Sequence, residues 1–185
     1  MSNEVLGAAQ MTKKPLALAN ALRKIQKNTI NNLEKNISEN QNQQKEFEKI
    51  QQEIQRKKQR SWSDQKKVQS FIKRQQEYKK RLQRQTEKLQ ENLGEKKAQS
   101  EGLQEKKEAL KKRVEELKKL EKQQKLLDEI AKIAEKLNKE DFLKKAKELA
   151  EQNKQQERSL ERTLELVKRF YVEQKAMQIP NQLEA

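Results

Sequence analysis

Histidine and cysteine, the side chains that most often act as base, nucleophile or metal ligand near neutral pH, are both absent from this 185-residue chain. Thiolate chemistry and histidine-dependent triads are therefore excluded, and a zinc site would have to be built from carboxylates alone. What the chain does concentrate is positive charge. Residues 56–84 hold Arg56, Lys57, Lys58, Arg60, Lys66, Lys67, Lys73, Arg74, Lys79, Lys80, Arg81 and Arg84 against two acids, Asp64 and Glu77. That is +10 within 29 residues, two thirds of the chain's +15. A basic helical turn with Trp62 and Tyr78 nearby could hold phosphates of nucleic acid or of an anionic membrane surface. The same residues also suit a plainer role. Trp62 reads first as an apolar plug closing a hairpin end, and Tyr78 as a seam residue whose hydroxyl reaches solvent. The Lys/Arg run then serves as a solvated face, although so much like charge repels itself.

Other chemistry is missing. The three glycines, Gly7, Gly94 and Gly102, are isolated and form no phosphate-cradling loop. Adjacent carboxylates occur at Asp128-Glu129 and Glu140-Asp141, but neighbours on a helix diverge by about 100° and cannot converge on one ion. Glu140-Asp141 suits the start of a helix better than a metal. The reading is a non-enzyme with no catalytic residue, no cofactor, no metal and no small-molecule substrate, since so thin a structure offers no water-excluding cavity.

The elements that carry these residues must be helices. Only 31% of residues are hydrophobic and 4% aromatic, with 3 Gly and 2 Pro. Globular domains are roughly 45–50% apolar, so this chain can bury only a narrow seam along long helices or remain disordered. Periodicity decides for helix. Ile30, Leu33, Ile37, Asn40, Gln44, Phe47, Gln51 and Ile54 recur at three- and four-residue steps. Val68, Phe71, Gln75, Tyr78, Leu82, Gln85 and Leu89 do the same, as do Leu103, Leu110, Val114, Leu117, Leu120, Leu127, Ile130, Ile133 and Leu137, and then Leu160, Leu164, Val167 and Tyr171. Such spacing predicts an all-α fold of elongated antiparallel helical hairpins with a coiled-coil-like seam. Amides at Asn40, Gln44, Gln51, Gln75 and Gln85 weaken that seam. Scarce apolar cover favours leaving them partly exposed; buried, they would fix register instead.

Punctuation sets the expected boundaries. Residues 1–15 read as a flexible tail, with Pro15 suited to the first turn of helix one over 16–58. A turn at 59–62 leads into a long helix two over 63–137, about 110 Å if unbroken, with a hinge or second turn allowed at 94–102. Ser61 and Ser63 are cap candidates for it, and Asn138 can end it in a left-handed conformation. A short helix over 140–151 follows, and Asn153 caps a final helix over 154–178 that Pro180 stops before a tail at 179–185. Helix one should fold along the first half of helix two, and the C-terminal helices along its second half. No run approaches the 18–20 apolar residues of a membrane span and no secretory signal opens the chain, so as given it reads as soluble.

Three stretches, SWSDQKKVQSFIKRQQEYKKRLQ (61–83), KLLDEIAKIAEKLNKEDFLKKAKELA (125–150) and SLERTLELVKRFYVEQK (159–175), occur in an order that resembles the helical region of a family of large bacterial membrane-anchored proteins of unknown function. The resemblance spans about residues 28–178. It is most specific at Trp62-x-Asp64-x-Lys66-Lys67 and at Glu161-Arg162-Thr163-Leu164-Glu165-Leu166-Val167-Lys168-Arg169. It implies helical organisation and either a fragment of a membrane-anchored protein or a stand-alone module, and it carries no catalytic residues. The basic balance of this chain departs from the acidic or balanced helices expected of that family.

The functional expectation is a structural or protein-interaction scaffold that presents long helical faces to a protein partner or to its own copy. The alternative is an anion-binding protein using the basic turn at 56–84.

Overall fold

The apolar stripes become helix faces, and each face is buried against two neighbours. The computed structural model describes the backbone of residues 2–57, 62–94, 98, 100–121, 125–135 and 138–183, and the side chains of 16–57, 64–94, 98, 100–120, 125–135 and 138–176. Among these residues lie five helices and no strand: α1 (Ser2–Arg56), α2 (Trp62–Leu93), α3 (Glu101–Glu121), α4 (Lys125–Glu135) and α5 (Lys139–Leu183). Helices α3 and α4 follow one another along a single rod, with residues 122–124 between them outside the described residues. The four rods form a square: the backbone of α1 runs against α2 and α5, and the α3–α4 rod against the same two, while diagonal rods reach each other only through side chains. Neighbours are antiparallel. Lys67, Arg74 and Arg81 on α2 meet Glu53, Glu46 and Glu39 on α1, and Gln26, Glu34 and Gln41 on α1 meet Gln174, Lys168 and Glu157 on α5. This is an up-down-up-down helical bundle.

The long helix two expected over 63–137 is therefore folded back on itself. Gly94 ends α2 with φ 62°, a conformation glycine adopts without a Cβ penalty, and its N–H donates to the Glu91 carbonyl at 3.1 Å. Ser100 then caps α3, its Oγ accepting from the Leu103 N–H at 3.1 Å. With few apolar residues between Gly94 and Ser100, no seam holds the helix straight there. The expected division of helix two survives the fold, with α1 along α2 and α5 along α3 and α4, and the turn adds packing of α2 on α3 and of α1 on α5.

At the other turn the expected pieces merge. Phe142, Ala146, Leu149, Asn153, Gln156, Leu160, Thr163, Val167 and Phe170 are all buried at alternating four- and three-residue steps. That stripe never falters, so a break near 151–154 would strip Leu149 or Leu160 of cover, and α5 is one helix. Asn153 is an interior residue and not a cap. Asn138 starts α5 instead of ending helix two: its Oδ1 accepts from the Asp141 N–H at 3.2 Å and its Nδ2 donates to Asp141 Oδ2 at 2.8 Å, a reciprocal cap.

Both ends of the chain are more helical than their prolines suggested. Helix α1 begins at Ser2 and passes through Pro15, and α5 passes through Pro180 to Leu183. Around Pro15 the run VLGAAQM and the following PLALANAL are rich in Ala, Leu and other strong helix formers, which carry the helix over a residue costing roughly 3 kcal/mol inside one. The expected turn at 59–62 falls largely outside the described residues: Lys58, Arg60 and Ser61 lie there, as do the side chains of Trp62 and Ser63. Trp62 itself opens α2.

Two apolar clusters fill the bundle. One, at the end where α1 meets α2 and α4 meets α5, contains Phe47, Ile54, Val68, Phe71, Ile130 and Phe142. Phe47 and Phe71 stack at 4.6 Å between centroids, and Phe142 meets Phe47 edge-on at 6.5 Å. The other cluster contains Leu33, Tyr78, Leu82, Leu110, Val114 and Val167, and reaches Phe170 and Tyr171 near Gly94.

Candidate interaction surface and buried polar belt

The basic residues of 56–84 do not converge. Lys67, Arg74 and Arg81 recur every seven residues along one edge of α2 and pair with Glu53 (3.2 Å), Glu46 and Glu39 (2.5 Å), which recur every seven residues on α1. They form a ladder that sets the register of the two helices. Lys57 pairs with the buried Asp64 at 2.8 Å, and the hydrogen bond it donates to that carboxylate raises the Lys57 pKa. Lys73, Lys80 and Arg84 are exposed on the outer side of α2, as are Lys66 and Arg56 on their own helices. Lys58 and Arg60 lie outside the described residues.

Lys79 departs most from expectation. It is 2% exposed, has no counter-ion among the described residues, and burial lowers its pKa from 10.5 to about 8. It shares its stripe with Ile72, Thr86 and Leu93, so helix geometry places it on the face toward the α3–α4 rod. Lys107, on α3, is buried too; desolvation first and Lys111 second lower its pKa.

Lys79 belongs to a belt of polar side chains between the two apolar clusters. Asn36, Asn40, Gln43 and Gln44 on α1, Gln75 on α2, and Asn153 and Gln156 on α5 are all buried. Partial exposure, expected for the seam amides, holds for Gln51 and Gln85 but not for Asn40, Gln44 or Gln75, because four rods enclose them where a single hairpin would not. Asn153 Nδ2 donates to Gln75 Oε1 at 3.4 Å, Gln75 Nε2 to Gln43 Oε1, and Gln43 Nε2 to Glu39 Oε1 at 3.4 Å. The relay thus leads from the axis to the surface ladder. Asn40 Oδ1, Gln156 Nε2 and Ser159 Oγ find no hydrogen-bond partner among the described residues. Tyr78, expected to turn its hydroxyl to solvent, is buried and donates to the Asn36 carbonyl at 2.9 Å. Gln76, next to Gln75, donates to Asp128 Oδ1 on α4 at 3.5 Å.

The bundle's ends differ. Continuing the α1–α2 ladder puts Leu93, the last residue of α2, level with about Lys27, and Lys106 pairs with Glu173 near the start of α3. Helix α1 before about Ile25 thus extends beyond α2 and α3, accompanied only by the last turns of α5. The large apolar side chains exposed among the described residues are Leu16, Leu18, Ile25 and Val172, all at this open end. A groove of about 590 Å³ runs between α1 and α5 there, lined by Ile30, Tyr171 and Val172 with Arg23, Lys168 and Lys175 at its sides. Burial raises the Tyr171 pKa against a hydrogen bond with Thr29 that lowers it. The N-terminal overhang carried no signal in a search for chemistry, yet it is visible as low charge: Glu4, Lys13 and Lys14 are the charged residues between Ser2 and Leu22 in a chain that is 39% charged.

No group of three or more acids that could hold a metal ion occurs among the described residues. No described helix is long and apolar enough to cross a membrane. The chain matches no family model, no curated protein and no solved structure.

Proposed function

We propose that this chain is a non-catalytic protein-interaction module that docks through the open end of its bundle. The carrying observation is the segregation of exposed apolar side chains. Leu16, Leu18, Ile25 and Val172 gather where two rods continue past the other two, while exposed surface elsewhere is dominated by Lys, Glu, Arg and Gln. An apolar helix face left without neighbours is the ordinary substrate for helix-in-groove recognition. A photo-crosslinking residue placed at Leu18 should capture a discrete protein in an extract, and one placed at Lys73, on the outer side of α2, should not. Equal or absent capture at both positions would refute the reading.

A second reading, anion binding, is supported by Lys73, Lys80 and Arg84, which lie on one outer face of α2 apart from the ladder. It requires binding to nucleic acid or acidic vesicles that weakens steeply with salt and is lost in K73E/K80E/R84E. Binding unchanged in that variant would end it.

A further inference from the structure

We infer that the partner at the open end is a second copy of this chain, paired through antiparallel α1 overhangs. The inference rests on the docking proposal above and names its occupant. Three observations carry it.

The first is geometric. The bundle has four rods along most of its length, but beyond Leu93 and before Glu101 two of them stop. Helix α1 continues for about 23 residues, close to 35 Å. Residues 8, 11, 15, 18, 22 and 25 of this segment are apolar and three or four apart, the spacing that elsewhere in α1 faces the core. A helix of the same length and spacing is supplied by the same segment of another copy, and a two-fold axis makes the patch its own complement.

The second is electrostatic. The chain carries +15, yet Ser2–Leu22 carries only Glu4, Lys13 and Lys14. Antiparallel overlap sets the two charged bundles at opposite ends of the pair, separated by several Debye lengths of about 8 Å at physiological salt. A parallel pair would press them together. Lys13 and Lys14 of the two copies approach each other at the middle, so added salt strengthens this pair, the reverse of its effect on binding to an acidic partner.

The third concerns cost. Pro15 removes a hydrogen bond to the Met11 carbonyl in a helix that α2 and α3 do not cover. A helix interrupted in this way gains stability from packing beyond what its helix formers supply, and Leu16 and Leu18, the first described side chains of the overhang, are 67% and 71% exposed in the single copy.

Sedimentation equilibrium of the full chain should show the mass rising with concentration from 22.0 kDa to twice that value, with association tightening as salt is raised. L18E/L22E should remain monomeric over the same range, and L18E alone should weaken association at least tenfold. Circular dichroism and the melting temperature report whether either variant still folds. Because the chain has no cysteine, direction can be read by disulfide trapping. Ala8→Cys chains mixed with Leu18→Cys chains should cross-link, and Leu18→Cys chains alone should not. A monomer at every concentration overturns the inference, as does a dimer that survives L18E/L22E or a dominant cross-link between two positions 18. Monomers that float with acidic vesicles through the same leucines would assign the overhang to a membrane surface and equally overturn it. If purified chain is monomeric while Leu18 still captures a different protein from extract, the self-pairing fails and the docking proposal stands.

Discussion

The closed and open ends of this bundle are built from the same helices, yet they solve opposite problems. At the closed end every loose group is tied. Phe47, Phe71 and Phe142 lock α1, α2 and α5 together, and Lys57 holds the buried Asp64. Lys139 Nζ donates to the carbonyls of Gln55 (2.9 Å) and Lys57 (2.8 Å), which α1 leaves without helical partners at its C-terminus. At the open end α2 stops on a left-handed glycine, the apolar cluster runs out at Leu93 and Phe170, and α1 goes on with only the last turns of α5 beside it and leucines in water. One end is finished by the chain's own residues; the other, on the proposal above, is finished by a second copy. Between them lies a belt that is enclosed but polar, where burial has been accepted without apolar gain.

Breaking the closed end should cost most. Phe71→Ala removes a fully buried ring from the aromatic cluster and is expected to lower stability by about 3–5 kcal/mol in urea unfolding. Lys79→Met, in the belt, should act in the opposite direction. The folded state holds Lys79 at a pKa near 8, below its unfolded value of 10.5. The unfolded chain therefore binds more protons between those values, and wild-type stability rises as pH climbs from about 8 toward 10.5. The variant should be more stable by up to about 3 kcal/mol at pH 7, and the advantage should shrink across that window. If the difference between the two proteins does not change with pH, Lys79 is not paying for its charge.

Smaller effects sharpen the contrast. Gln75→Leu leaves Gln43 and Asn153 without a shared partner and should cost about 1–3 kcal/mol, although leucine is the better core residue in isolation. Gly94→Ala meets open space around its Cβ, so its expected cost of about 1 kcal/mol reflects backbone conformation alone. Arg74→Ala removes one rung of the exposed ladder and should change stability by roughly 0.2–1 kcal/mol, less at high salt. Thermal melts of the three variants rank them.

The fold class and the buried stripes of α2, α3 and α4 were legible because hydrophobic spacing is a local property that a helix reads directly. Val68, Phe71, Tyr78, Leu82, Leu110, Val114, Leu127 and Ile130 are all buried where their spacing placed them. What could not be read was how many rods surround a stripe. A hairpin leaves Asn40 and Gln75 half wet; four rods bury them, and nothing in their immediate neighbours announces which arrangement occurs. The same ambiguity misplaced Asn153 and Asn138, since asparagine suits a cap and an interior network equally well. Lys79 is hidden for a similar reason. It sits among eleven other cations of the basic run, and only the third dimension separates it from them. The Glu165–Arg169 pair, by contrast, closes at 2.5 Å across one helical turn, a local i,i+4 contact that spacing alone places.

The amide belt has one more consequence. Because it divides the buried interior into two apolar clusters, greasy side-chain contact along the axis is discontinuous at mid-length. Heat or a mechanical pull should find a seam at mid-length, so that the two halves can melt in succession, with the aromatic half the last to let go.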